Sequence, residues 1–108
     1  MQRHEISLNI NELAFAAKNL LNFGGRLCIC IRPERLFEVA TAFKENSLAI
    51  KRIRFVCKNK DASPKLVLIE AKKGAKEGLK VEPNLILFEN GQETKEVLEI
   101  YKEIRDNK

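Results

Sequence analysis

The stretch RLCICIRPERLFEVATAFKENSLAIKRIRFVC, residues 26–57, decides the fold. Its first six residues alternate. Leu27, Ile29 and Ile31 point one way and Cys28 and Cys30 the other, the period-two pattern of a strand. Both sides are apolar or nearly so, as in a central strand of a parallel sheet. Pro33 then stands at a first helical position, where its missing N–H costs nothing. Leu36, Val39, Ala40 and Phe43 recur at i, i+3, i+4 and i+7 and define an amphipathic helix that Asn46-Ser47 closes. From Ile50 to Cys57 a second alternating run sets Ile53, Phe55 and Cys57 opposite Arg52 and Arg54. Strand, helix, strand is a right-handed crossover, so the two strands are expected to run parallel.

Upstream, Asn9 is a candidate helix cap. Glu12 sits at the capping-box spacing, and Leu8 and Leu13 are placed as a hydrophobic staple. Ile10, Leu13, Ala14, Ala17 and Leu21 give that helix one apolar face, and Gly24-Gly25 stops it. Downstream, the polar run from Lys58 to Pro64 leads into Leu66-Val67-Leu68-Ile69-Glu70-Ala71, expected to return antiparallel to the strand at 50–57. Residues 72–80 read as a basic loop and Leu85–Phe88 as a short strand or extended arm. Asn90-Gly91 reads as a tight turn, and Val97, Leu98, Tyr101 and Ile104 place a last helix on residues 95–105. The whole chain, 1–108, reads as one α/β domain.

Composition narrows the function. No apolar stretch is long enough for a membrane-spanning helix, and Met1-Gln2-Arg3-His4-Glu5 leads into no signal core. Three cysteines is an odd count, expected of reduced thiols in a cytoplasmic protein. Cys28, Cys30, Cys57 and His4 lack the spacing of a zinc site, so no metal is expected. No Ser or Cys stands in a nucleophile motif. The loop Gly74-Ala75-Lys76-Glu77-Gly78 lacks the phosphate-loop pattern, and no Gly-x-Gly-x-x-Gly occurs.

Charge is unevenly spread. Residues 1–47 carry six basic and five acidic groups, residues 48–80 ten and three, and residues 81–108 four and seven. The ten are Lys51, Arg52, Arg54, Lys58, Lys60, Lys65, Lys72, Lys73, Lys76 and Lys80. Their closeness in sequence suggests one shared surface, either a site for a nucleic-acid phosphate backbone or a solvated face. Phe55 is the only aromatic residue among them, so recognition by base stacking is not expected.

Several words of the chain form a familiar series. Leu20-Leu21 with Gly24-Gly25 is followed by Arg32-Pro33-Glu34-Arg35-Leu36 and Lys51-Arg52-Ile53-Arg54-Phe55-Val56. Then come Leu66-Val67-Leu68-Ile69-Glu70-Ala71-Lys72-Lys73-Gly74, Leu79-Lys80-Val81 and Pro83. The series resembles the C-terminal part of the bacterial tRNA(Val) adenine methyltransferases, class I enzymes that use S-adenosylmethionine to methylate an exocyclic amine.

The resemblance covers about residues 3–101. It implies an α/β fold, the C-terminal portion of a Rossmann-like sheet: helix, parallel strand-helix-strand, antiparallel return and a tail with a helix. It also implies that the glycine-rich cofactor loop and the Asn-Pro-Pro-Tyr motif of that family belong to a half that this sequence does not contain. No catalytic or cofactor-binding residue carries over, and Arg3, His4 and Glu5 match a segment near the active site. The chain is therefore expected to be non-catalytic alone and to retain a basic surface for tRNA. The alternative is a free-standing RNA-binding or assembly module of the same fold. If the strand at 26–31 has lost a neighbour, its edge carries no protective Lys or Pro and is expected to be closed by a second copy or a partner chain.

Overall fold

The strand-helix-strand segment folds as its pattern requires. In the computed structural model, which describes residues 9–106, α1 spans Ile10–Leu20 and β1 Arg26–Ile31. A 3-10 turn at Pro33–Arg35 leads into α2, Leu36–Glu45, followed by β2, Leu48–Cys57, and β3, Pro64–Lys73. Four two-residue strands, β4 (Lys80–Val81), β5 (Leu85–Ile86), β6 (Phe88–Glu89) and β7 (Gln92–Glu93), precede α3, Lys95–Asp106.

α1 starts with a reciprocal cap. The Asn9 side-chain oxygen accepts from the Glu12 backbone N–H at 2.8 Å, and the Asn9 side-chain amide donates to the Glu12 carboxylate at 2.8 Å. The reach-back of Glu12 therefore closes on the side-chain amide of the cap residue. Leu8, the expected staple, lies outside the described residues, as do Arg3, His4 and Glu5.

β1 and β2 both run antiparallel to β3, which lies between them. They are therefore parallel in direction, as expected, without being hydrogen-bonded to each other. β4 and β5 add in parallel to the outer side of β2. β1 is thus an edge strand rather than a central one, and Cys28 and Cys30 are exposed. A strand apolar on both faces signals what it could bury, not whether a layer is there to bury it. The basic segment 72–80 is also partly sheet. Lys72 and Lys73 extend β3 because Arg26 and Leu48 give that backbone partners, and Lys80 belongs to β4.

One face of the sheet is covered. Across it Leu27, Ile29 and Ile31 meet Ala71, Ile69 and Val67, which in turn meet Ile50, Ile53 and Phe55. α1 and α2 lie over these residues through Ile10, Ala14, Ala17, Val39, Ala42 and Phe43. Ala42 is the buried alanine and Ala40 is half-buried. Burying a side chain such as Phe43 or Ile69 stabilises by roughly 1.5–3 kcal/mol, so this layer holds the fold. A smaller cluster, Val56, Leu85 and Val97 with Leu87 and Ile100, fastens α3 beside β2.

Candidate nucleic-acid interface

The ten basic residues do not share one surface. The turn after β2 and the start of β3 carry Lys58, Lys60 and Lys65 at one end of the sheet. The other end carries Lys51, Lys72, Lys73, Lys76 and Lys80. Lys65 and Lys72 are seven residues apart on β3, about 23 Å at about 3.3 Å per residue. Sequence proximity hid this because a hairpin folds neighbours back on each other only near its turn.

Between the two ends the cations are already engaged. The Arg52 guanidinium pairs with Glu70 at 3.2 Å and with Glu82 at 3.2 Å. Arg54 donates to the Pro83 carbonyl at 2.9 Å and pairs with Glu96 at the start of α3. Arg26 reaches Glu70 more loosely, at 3.8 Å. Two of the lysines are tied to backbone. Lys51 Nζ donates to the Lys76 carbonyl at 2.8 Å, and Lys73 Nζ donates to the carbonyls of Lys18 and Leu21, the latter at 2.8 Å. Lys73 also lies 5.2 Å from the centre of the Phe23 ring. Among the described residues Lys58, Lys60, Lys65, Lys72, Lys76 and Lys80 form no ion pair. Of the ten, these six are the ammonium groups available to an anion.

The hairpin tip is a defined shape rather than a loose loop. The Asn59 side chain accepts from the Asp61 N–H at 3.0 Å, and the Ala62 N–H bonds the Asn59 carbonyl at 3.1 Å. Such an Asx turn fixes the backbone that carries Lys58 and Lys60. Asp61 is the one acidic residue there.

Opposite α1 and α2, the second face of the sheet is covered at Val56 by Val97 of α3 and is open over β1 and much of β3. A hollow of about 480 Å³ lies on it, lined by Cys28, Cys30, Leu68 and the Arg52–Glu70–Glu82 ladder. Leu66 and Leu68 are each 38 % exposed. The sequence signalled the cysteine side of β1. It did not signal the acidic partners, which come from β3, from the residue after β4 and from α3. In the Arg32–Leu36 segment, the Arg35 guanidinium hydrogen-bonds Glu38 at 3.1 and 3.2 Å and holds that carboxyl below the usual carboxylate range. No group of His, Cys, Asp and Glu able to hold a metal occurs among the described residues, and no described helix is long and apolar enough to cross a membrane.

The fold as a whole has a solved counterpart. The fold is methyltransferase-like. The chain superposes on a predicted O-methyltransferase from Agrobacterium tumefaciens with a TM-score of 0.79 over 86% of its own length, at 21% identity. It spans 45% of that protein, less than half. No family model and no curated protein matches the sequence.

Proposed function

We propose that this chain is the C-terminal portion of an S-adenosylmethionine-dependent tRNA adenine methyltransferase, and that its part in the reaction is to hold RNA by phosphate contacts. The observation that carries the reading is the β1-β3-β2 order joined to the sequence words from Arg32 to Val81. The uncompensated lysines support the RNA half of the proposal, because contacts of this kind position a nucleic acid without reading its sequence.

The described residues do not fit the cofactor. β1 passes through Arg32-Pro33 straight into a 3-10 turn, with no glycine to admit a ligand against the backbone and one N–H lost to proline. The guanidiniums of the open face are occupied by carboxylates. Methyl transfer is therefore assigned to residues outside this chain, and the free edge of β1 is where the sheet would be continued or closed.

Two titrations of the purified chain test this. Calorimetry with S-adenosylmethionine is expected to show no binding, and micromolar affinity would overturn the reading. Filter retention of tRNA is expected at low salt and lost as salt rises. A chain that retains no tRNA even at low salt would reduce to a structural domain.

A further inference from the structure

β1 has a hydrogen-bonded neighbour on one side only. Which of its backbone groups face that neighbour follows from the residue before it, since the Lys73 N–H bonds the Gly25 carbonyl at 3.0 Å. Bonded and unbonded positions alternate along an antiparallel ladder, so Leu27, Ile29 and Ile31 turn their N–H and C=O groups to β3. Those of Arg26, Cys28 and Cys30 point outward, and no strand among the described residues takes them. The side chains of this edge are apolar as well. Leu27, Ile29 and Ile31 are only half-buried on the α1–α2 face, and Cys28 and Cys30 are exposed on the other.

The run Leu27-Cys28-Ile29-Cys30-Ile31 reads almost the same in both directions about Ile29. An antiparallel neighbour reverses a strand, so a second copy of β1 is the neighbour that this symmetry fits. Outward-facing residues must meet outward-facing ones, which leaves three registers that pair most of the strand: Cys28 on Cys28, Cys28 on Cys30, or Cys30 on Cys30. The first sets Arg26 against Cys30 and Ile31 against Gly25. The last sets Arg32 against Cys28 and Leu27 against Pro33. Only the middle register, with Ile29 opposite Ile29, matches Leu27 to Ile31 and each Cys28 to the other copy's Cys30. No charge lies within residues 27–31. Arg26 meets the other copy's Arg32 at the two ends, where Arg26 also reaches Glu70 at 3.8 Å and Glu34 follows Arg32 in the chain.

We propose that two copies of this chain pair along β1, antiparallel and with Ile29 opposite Ile29, into one continuous sheet. The contact is two-fold, uses the outward backbone groups of both copies and closes on itself. On one face Leu27, Ile29 and Ile31 run on into the same residues of the other copy, so the apolar layer under the helices crosses the seam. On the other face Cys28 stands opposite the other copy's Cys30. Their Cα atoms lie about 5.5 Å apart, inside the roughly 4.4–6.8 Å that a disulfide spans. The edge is thereby given one occupant, and the inference goes beyond the RNA-binding reading and does not depend on it.

Sedimentation equilibrium of the full chain in reducing buffer, from low micromolar to hundreds of micromolar, is expected to show a dimer. Cys28→Lys/Cys30→Lys sets like charges opposite each other across the seam and is expected to return it to monomer. Both side chains are exposed in the single chain, so the circular dichroism spectrum is expected to stay unchanged. The register is read with diamide, which takes two electrons and two protons from a pair of thiols as their disulfide forms. Cys57 is buried and stands aside. Neither Cys28→Ser nor Cys30→Ser alone is expected to give a cross-linked dimer, because each remaining thiol then faces a serine. An equilibrated mixture of the two variants is expected to give one, through Cys30 of the first and Cys28 of the second. A monomer at every concentration overturns the proposal. So does a dimer indifferent to the lysine pair, a cross-link that persists in either serine variant alone, or a mixture that gives none.

Discussion

Gly74 shows how much one residue at a strand end is asked to do. Its φ is +73°, its N–H bonds the Ser47 carbonyl at 2.9 Å, and a Cβ built there would meet the Phe23 ring at 2.4 Å. Gly91 has nearly the same φ, +77°, in the Asn90-Gly91 turn, with nothing within 4 Å of such a Cβ. Replacing either by Ala forces a side chain into the left-handed region, which destabilises by about 1 kcal/mol. The pair therefore separates backbone from contact. In urea unfolding Gly91→Ala is expected to cost about 1 kcal/mol. Gly74→Ala is expected to cost more, because the ring must also leave its place against the strand. Equal costs would mean that the Phe23 contact is worth nothing.

At the scale of elements, the strands and helices of residues 10–57 were legible because each has a period set by its own backbone geometry. Leu27, Ile29 and Ile31 announce a strand, and Ile10, Ala14 and Ala17 a helix, without reference to anything distant. What the pattern could not give was the placement of β3 between β1 and β2. That depends on pairings such as Cys28 with Glu70 and Arg52 with Glu70, which join residues far apart in the chain.

The basic residues divided for the same reason. Their type was legible, but whether a head group meets a carboxylate, a carbonyl or water depends on the neighbouring element. Lys73 illustrates this. Its ammonium group caps the C-terminal carbonyls of α1, where a cation is favoured by the helix dipole as well as by hydrogen bonds. Lys73→Met is expected to lower stability by about 1–2 kcal/mol, from hydrogen bonds to a charged group, while leaving RNA retention unchanged. A variant of normal stability that loses RNA would move Lys73 from the structural set to the binding set.

For the whole molecule, if the chain holds RNA as proposed, the question is which end of the sheet does so. The two groups of free lysines lie about 23 Å apart, so no single phosphate touches both. The hairpin tip holds Lys58, Lys60 and Lys65 with Asp61 as the one acidic residue of the turn, whose backbone Asn59 fixes. The far end sets Lys72, Lys76 and Lys80 beside Glu77, while Glu70 and Glu82 are held by Arg26 and Arg52. The tip, whose lysines stand on a turn of fixed backbone, is the anion site to test first. Each phosphate contact on a single strand contributes about 0.7 to the slope of log affinity against log salt. Replacing the three tip lysines together by Gln is expected to flatten that slope by about 2 units, whatever the RNA sequence, whereas replacing Lys72, Lys76 and Lys80 is expected to change it by less. Equal losses would mean that RNA spans the sheet from end to end. A slope untouched by the tip variant would leave the tip lysines as solvated surface and move the contact to the far end.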